Sequence, residues 1–391
     1  MTTLHSVNAI RVIAEYFVVR LHTFASTVGM DNFVRDLMSF FFVLSGFVMM
    51  YTHYSASFST TRHKWDFWVG RWRKTYPAYI LNFSFQLPVV VVRAMDPNFC
   101  VYDMFCPLMQ VFLLNCWAGC GIRHTINSLN WYLGALAWLW FAFPLIHGTL
   151  KRIFRSRIWI KLFFINVLST SVIFVFSGYE IFTICTLPVL RLGEFIIGCG
   201  AACALEQLEQ PEQMESRPLR LIQWVPSALI VIYMTVFYCA FALPHGMSWI
   251  CMNEWNQNFK CNLWEKSEWV DVAPPCLAVW DKYFNKHALL WAVVIHTIAS
   301  AEKSNDTNGV LMQVLGHGIF KTLSSYSLSL YLGHMSIDWV LRTVTNSIGW
   351  VNFWHDDVRL IVIYALCYVL HLFTQKITSI VFKPWSVFTQ V

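Results

Sequence analysis

Four ionisable residues interrupt the apolar stretch AIRVIAEYFVVRLHTFAS, which begins at residue 9. They are Arg11, Glu15, Arg20 and His22. On an α-helix, Arg11 and His22 fall within about 20° of one face and roughly 16 Å apart along the axis. Glu15 lies one turn from Arg11 and is expected to pair with it, whereas Arg20 points nearly opposite. Histidine can accept a proton from a hydroxyl group and arginine can bind an anion, so this face predicts a polar reaction cavity.

The same residues also have a purely structural interpretation. Arg11 and Glu15 would then form an ion pair within one helix, and His22 would form a hydrogen bond to a neighbouring helix. The spacing is compatible with both interpretations. The position of Arg20 indicates no role for its side chain.

A second group of basic residues lies in the segment FWVGRWRKTYPAYI. Arg71, Arg73 and Lys74 precede Pro77, which limits how far a regular helix can run toward the N-terminus. Basic side chains at a helix start, together with free backbone N–H groups, can bind phosphates. The alternative is simple anchoring of a membrane helix by positive charges on the cytoplasmic side.

Three further sites, one with a single residue and two with a pair, combine polar side chains with apolar surroundings. Ser45 lies in an aromatic helix, where a small residue favours close helix packing over a nucleophilic role. Arg191 and Glu194 have the spacing of an ion pair across one helical turn. His334 and Asp338 are one turn apart and predict an oriented histidine–carboxylate pair, with structural support favoured over direct catalysis.

The elements that must position these residues are membrane helices. Of the 391 residues, 57% are hydrophobic and 13% are charged, whereas a soluble domain has about 25% charged residues. With a window of about 20 apolar residues, the candidate spans are residues 7–28, 36–54, 76–95, 128–148, 158–177, 180–204, 221–243, 287–302, 323–344 and 358–382. The sequence therefore predicts an all-α, polytopic transmembrane bundle of about ten spans, which forms a single domain over residues 1–391.

The distribution of charge predicts the orientation of the chain in the membrane. Lysine and arginine concentrate in alternate short loops, which places both termini in the cytoplasm. The net charge of +6 is spread over these loops rather than over one soluble face, so no nucleic-acid partner is expected. The protein is predicted to be an integral, multi-pass protein of the plasma membrane or, in a eukaryote, of the ER or Golgi.

Most cysteines outside the apolar segments lie in two predicted outer loops. Residues 96–127 contain Cys100, Cys106, Cys116 and Cys120, and residues 244–286 contain Cys251, Cys261 and Cys276. An oxidising compartment favours disulfide bonds in such loops, although the sequence does not give their pairing. No closely spaced cysteine pair occurs with histidine ligands, so no metal site is predicted.

Several motifs, in one order along nearly the whole chain, resemble those of acyltransferase family three, a family of integral membrane acyltransferases. They are an Arg-x10-His pair at Arg11 and His22, FFFVLSGF at 40–47, Arg-x-Arg with aromatic-Pro at Arg71, Arg73, Tyr76 and Pro77, a Trp-x-Leu segment from Trp131 to Pro144, Arg-x-x-Glu-Phe-x-x-Gly at Arg191, Glu194, Phe195 and Gly198, and SYSLSLYLGH at 325–334. Two positions depart from the pattern: Leu136 stands where the family usually has Glu, and Arg20 stands where relatives are generally apolar.

The resemblance implies transfer of an acyl group from cytoplasmic acyl-CoA, with acetyl-CoA as the expected donor, to a hydroxyl of a carbohydrate or lipid on the outer or lumenal side. It implies His22 and Arg11 as catalytic residues, with His22 acting as a base or carrying the acyl group transiently. Arg71, Arg73 and Lys74 are expected to contact the CoA phosphates. The expected supporting residues are Ser45, Glu15, Arg191, Glu194, His334 and Asp338.

Two other functions fit the same residues. Arginine and histidine inside a membrane also mark the path of a transporter or flippase for an anionic acyl or lipid-linked substrate. The missing Glu at Leu136 is what a non-catalytic relative would show. The expected partners are membrane lipid and the acceptor, and the sequence gives no oligomeric state.

Overall fold

The computed structural model of the protein describes residues 4–23, 28–87, 101–118, 129–175, 187–207, 287–304, 310–347 and 356–382. Within these ranges the regular structure is helical and contains no strand. The helices are α1 (His5–Thr23), α2 (Val28–Thr52), α3 (Thr61–Phe85), α4 (Val101–Val111), α5 (Asn130–Ile153), α6 (Ile158–Val175), α7 (Pro188–Gln207), α8 (Ala288–Lys303), α9 (Val310–Leu315), α10 (Gly318–Ser325), α11 (Ser327–Ser347) and α12 (Asp356–Phe382). The prediction of an all-α protein is confirmed for this part of the chain.

Three of the described helices are long and apolar enough to cross a membrane: α5, α7 and residues Asp357–Ser379 of α12. Shorter apolar helices cover Asp36–Thr52 and Ile158–Ile173. These helices support a membrane protein, whereas the count of ten spans and the orientation of the termini stay predictions. The predicted span at residues 221–243 lies outside the described residues.

Helix α7 forms the centre of the main core and packs against α2, α5, α6 and α8. Its approach to α2 is closest at two glycines, because a Cβ atom at Gly46 would overlap the backbone of Phe195 and one at Gly198 would overlap that of Val43. Small residues permit such backbone contact between membrane helices. Ser45 is partly buried beside this crossing.

Helix α1 lies between two groups of helices. On one side it packs against α2 and α8 of the main core, and on the other it packs against α10 and α11. Helix α11 in turn packs against α12 and α3. The polar face of α1 is therefore enclosed by protein rather than exposed to lipid, which is what its charged residues require.

Several polar contacts bring helix ends together at one end of the bundle. The backbone N–H of His5 donates a hydrogen bond to Glu302 at 2.6 Å, and Lys303 pairs with Glu206 at 3.0 Å. Lys151 donates to the carbonyl of Tyr54 at 2.8 Å. We call this the basic end; it joins the start of α1 to the last turns of α5, α7 and α8 and to the turn that follows α2.

One prediction about the cysteines needs correction. Cys106 is disulfide-bonded, as expected for the predicted outer loop 96–127. Cys116, from the same loop, is a buried free thiol that donates a hydrogen bond to the carbonyl of Trp131 at 2.9 Å. Burial against the start of α5 places this thiol inside the bundle. The other cysteines of the two predicted loops, Cys100, Cys120, Cys251, Cys261 and Cys276, lie outside the described residues.

Candidate active site

His22 and His334 are brought together from opposite parts of the sequence. His22 Nδ1 lies 3.3 Å from His334 Nε2, and the two ring centroids are 5.4 Å apart. His22 is supplied by the last turn of α1 and His334 by α11. His334 is fully buried, so its ring is fixed by packing as well as by hydrogen bonds.

The hydrogen bonds of this pair assign the position of the proton on each neutral ring. His334 Nδ1 lies 3.0 Å from the carbonyl oxygen of Leu330. A carbonyl oxygen only accepts, so His334 Nδ1 carries the hydrogen and its Nε2 accepts. His22 must then donate from Nδ1, which leaves the basic lone pair of His22 on Nε2.

Arg11 and Glu15 both bind the junction between α10 and α11. Arg11 Nη2 donates to the carbonyl of Ser324 at 3.0 Å, and the hydroxyl of Ser327 donates to Glu15 Oε2 at 2.6 Å. Among the described residues these contacts take the place of a direct Arg11–Glu15 ion pair, although the two charges still attract each other across the helical turn. Helices α10 and α11 supply closer partners for Arg11 and Glu15 than the two residues supply for each other.

Each of these side chains keeps a buried polar atom that has no hydrogen-bond partner among the described residues. These atoms are Arg11 Nε and Glu15 Oε1. Buried polar atoms are normally paired, so such atoms in a candidate site are suited to contact a bound molecule or water. Along the α1 axis they lie up to roughly 16 Å from His22.

A cavity of about 620 Å³ lies between α3 and α5. Arg71 and Arg73 line it, and the Arg71 guanidinium lies 5.5 Å from the centroid of the Phe67 ring. Lys74, which was predicted to act with them, is exposed and is not part of the lining. Much of the wall is aromatic, from Trp65, Trp68, Trp72, Tyr76, Trp140 and Phe141.

The aromatic wall is partly organised by its own contacts. Trp68 and Phe141 stack with ring centroids 4.8 Å apart at an angle of 18°, and Trp68 Nε1 donates to the Phe141 carbonyl at 3.2 Å. Tyr76 fixes the far part of α3 by donating to the carbonyl of Val111 at 3.1 Å. The cavity therefore combines two cationic groups with a wall that can stack on a planar ring.

Arg191 and Glu194 form a buried ion pair in α7, with Arg191 Nη1 3.1 Å from Glu194 Oε1. The guanidinium also lies 5.3 Å from the Phe42 ring centroid and 5.9 Å from that of Trp131. The pair thus connects α7 to α2 and α5.

Leu136, at the position where the family usually has Glu, is buried in the main hydrophobic core.

The predicted pairing of His334 with Asp338 is not what the structure contains. Asp338 Oδ2 pairs with Arg342 Nε at 2.7 Å, and Asp338 Oδ1 lies 3.3 Å from Arg359 Nε. Two guanidinium groups attract the carboxylate more strongly than a neutral imidazole does.

Arg20, which had no predicted role, donates to the hydroxyl of Tyr16 at 3.1 Å.

Sequence reasoning missed the residues that contact the site from other helices. Ser327 lies within the SYSLSLYLGH motif and Ser324 immediately precedes it, so the motif itself was the available signal. Arg342 and Arg359 lie outside every motif. An arginine within or beside an apolar segment itself indicates a partner inside the protein, because lipid does not tolerate an unpaired guanidinium group.

One of the comparisons with known proteins identifies the family of the chain. A family model, described as an acyltransferase domain of acyltransferase family three, matches residues 4–372. Comparisons with curated proteins and with solved structures gave no match. The match includes every residue named above for the candidate site, both histidines among them. The chain therefore belongs to acyltransferase family three, and it is a membrane acyltransferase.

Proposed function

We propose that the protein transfers an acetyl group from acetyl-CoA to a hydroxyl of a carbohydrate or lipid acceptor. The observation that carries this proposal is the hydrogen-bonded pair of His22 and His334, since it directs a basic nitrogen of His22 away from its partner. The acceptor needs such a base, because an alcohol is a poor nucleophile until its proton is removed.

In the proposed reaction, the acceptor hydroxyl donates its proton to His22 Nε2 while its oxygen attacks the thioester carbonyl carbon. The C–S bond then breaks, and the CoA thiolate takes the proton back from the His22 imidazolium. The products are the acetyl ester and free CoA. His334 accepts the hydrogen bond from His22 Nδ1–H throughout, which favours the imidazolium and holds its orientation.

The donor is proposed to enter from the basic end of the bundle. Arg71 and Arg73 line the aromatic cavity and can pair with the phosphates of CoA, while a stacked aromatic wall suits its adenine. Lys74 is left with a long-range electrostatic role, because its side chain is exposed. Arg11 would contact the donor deeper in the bundle through its buried Nε.

The acceptor is proposed to reach His22 from the opposite end of α1. With ten spans and both termini in the cytoplasm, that end faces the outer or lumenal side. The separation of roughly 16 Å between Arg11 and His22 along α1 suits a long donor that bridges the two ends. The reaction would then join a cytoplasmic donor to an acceptor that never enters the cytoplasm.

The experiment uses membranes from cells that express the full chain, because these membranes supply the unidentified acceptor. Acetyl-CoA labelled in the acetyl group is added, and labelled product and free CoA thiol are both measured. We expect His22→Ala to abolish both signals while the protein still elutes as a folded species in size-exclusion chromatography. Full activity of His22→Ala would overturn the proposal.

The same assay separates transfer from transport. A transporter or flippase moves its substrate without changing it, so it would produce no labelled ester and no free CoA. A non-catalytic relative would also leave acetyl-CoA intact. Mass spectrometry of cell-surface glycans and lipids, with and without the gene, would then identify the acceptor by a missing acetyl mass.

A further inference from the structure

The last carbonyl group of α1 is held by two arginines. Thr23 ends α1, immediately after His22, and its carbonyl oxygen accepts a hydrogen bond from Arg342 Nη2 and a second from Arg359 Nη2 at 2.6 Å. Thr23 is fully buried. The two donors come from different helices, α11 and α12. This carbonyl is therefore the point at which three helices are joined.

The charges of the two arginines are linked by one carboxylate. Asp338 pairs with Arg342 at 2.7 Å and with Arg359 at 3.3 Å, and it is 6% exposed. Asp338 lies one helical turn beyond His334 on α11. Thus the helix that carries the partner of His22 also carries the carboxylate that pairs with both arginines.

The physical effect of this arrangement follows from the nature of helix ends. The last carbonyl groups of a helix have no partner within it, and the C-terminal end of its dipole is negative. Two guanidinium donors satisfy this carbonyl and favour one position of the helix end relative to α11 and α12. The position of His22 relative to His334 is fixed by the same contact, since His22 is the preceding residue.

We propose that Arg342 and Arg359 are positioning residues for His22, with Asp338 as the carboxylate that pairs with both of them; we call these three residues the clamp. This inference rests on the proposed function, in which His22 Nε2 is the base. A displacement of about 1 Å at a reacting group can cost about a hundredfold in rate. Loss of the clamp should therefore lower kcat and leave binding of acetyl-CoA nearly unchanged, because the proposed donor contacts lie at the other end of α1.

The experiment compares Arg342→Gln, Arg359→Gln and the double variant in the labelled acetyl-CoA assay, with rates expressed per folded protein. We expect a fall in kcat of about ten- to a hundredfold in the double variant, with KM for acetyl-CoA changed less than twofold. Arg342→Lys and Arg359→Lys keep the charge and should restore part of the rate. Arg155→Gln, an exposed arginine in the turn between α5 and α6, is the matched control and should keep full activity.

Failure of this inference is distinguishable from failure of the proposed function. If His22→Ala is inactive but the double variant keeps wild-type kcat, the clamp does not position His22, whereas the base assignment stands. If His22→Ala is fully active, the proposed function itself is wrong. If the double variant fails to fold, Asp338→Asn tests the same clamp, since it removes the carboxylate that pairs with both arginines and should lower kcat without raising KM; an unchanged kcat in Asp338→Asn overturns the inference.

Discussion

His22 Nδ1 lies 3.3 Å from His334 Nε2, across the contact between α1 and α11. The two residues are 312 positions apart in the sequence, so the fold alone brings them together. Because His334 Nδ1 is committed to the carbonyl of Leu330, the pair has one favoured arrangement of protons when both rings are neutral. A base whose tautomer is fixed in this way needs no rearrangement before it accepts a proton.

The first prediction concerns this pair. His334→Phe replaces the imidazole with a phenyl ring and removes the nitrogen that accepts the hydrogen bond from His22 Nδ1. The hydrogen bond that sets the tautomer of His22 is then lost. We expect kcat to fall by about a hundredfold or more, since the wrong tautomer costs about 10⁴ in a serine protease. KM for acetyl-CoA should stay near its wild-type value, and steady-state kinetics in membranes would measure both constants.

A matched control for this variant is His371→Phe. His371 lies on α12 and contacts Ser329 at 3.4 Å and Gln375 at 2.9 Å, away from His22. It should keep a kcat within about threefold of wild type, as expected when no group that acts in proton transfer is removed. Equal losses in the two variants would show that His334 contributes only to packing.

The second prediction concerns the cavity between α3 and α5. Arg71→Gln and Arg73→Gln each remove a positive charge from its lining. We expect each to raise KM for acetyl-CoA about tenfold, which corresponds to about 1.4 kcal/mol of lost donor binding. The effect on kcat should be small, because phosphates do not change charge during acyl transfer.

Two exposed residues of the same helix serve as comparisons for the cavity variants. Arg62→Gln at the start of α3 removes an equal charge outside the cavity and should leave KM unchanged. Lys74→Gln should raise KM only slightly, because its charge acts through solvent. A KM that rises equally in all these variants would mean that the donor senses overall charge and does not bind in this cavity.

Spacing within one helix predicted three pairings of polar residues, and the described structure contains one of them. The Arg191–Glu194 pair exists as its spacing indicates, because both residues lie on one buried face of α7. The face shared by Arg11 and His22 follows from helical periodicity in the same way. Membership of acyltransferase family three was also readable from the motifs and is confirmed.

The partners of these residues could not be predicted from spacing. Arg11 and Glu15 bind Ser324 and Ser327 of a distant segment rather than each other. Asp338 pairs with Arg342 on its own helix and with Arg359 on the next. In each case a side chain with a partner one turn away has competing partners from another helix, and only the packing of the helices decides between them.

The third prediction concerns the contact that holds the main core together. Gly198→Ala would place a methyl group against the backbone of Val43, which cannot move as the end of a flexible side chain can. We expect α7 and α2 to separate, with a loss of several kcal/mol that leaves little folded protein. Gly148→Ala in α5 is the matched control, because its added Cβ meets no atom within 4 Å and alanine favours a helix over glycine by about 1 kcal/mol. Fluorescence-detected size-exclusion chromatography after heating would measure both variants; a Gly198→Ala protein as stable as Gly148→Ala would mean that the close crossing of α2 and α7 does not stabilise the fold.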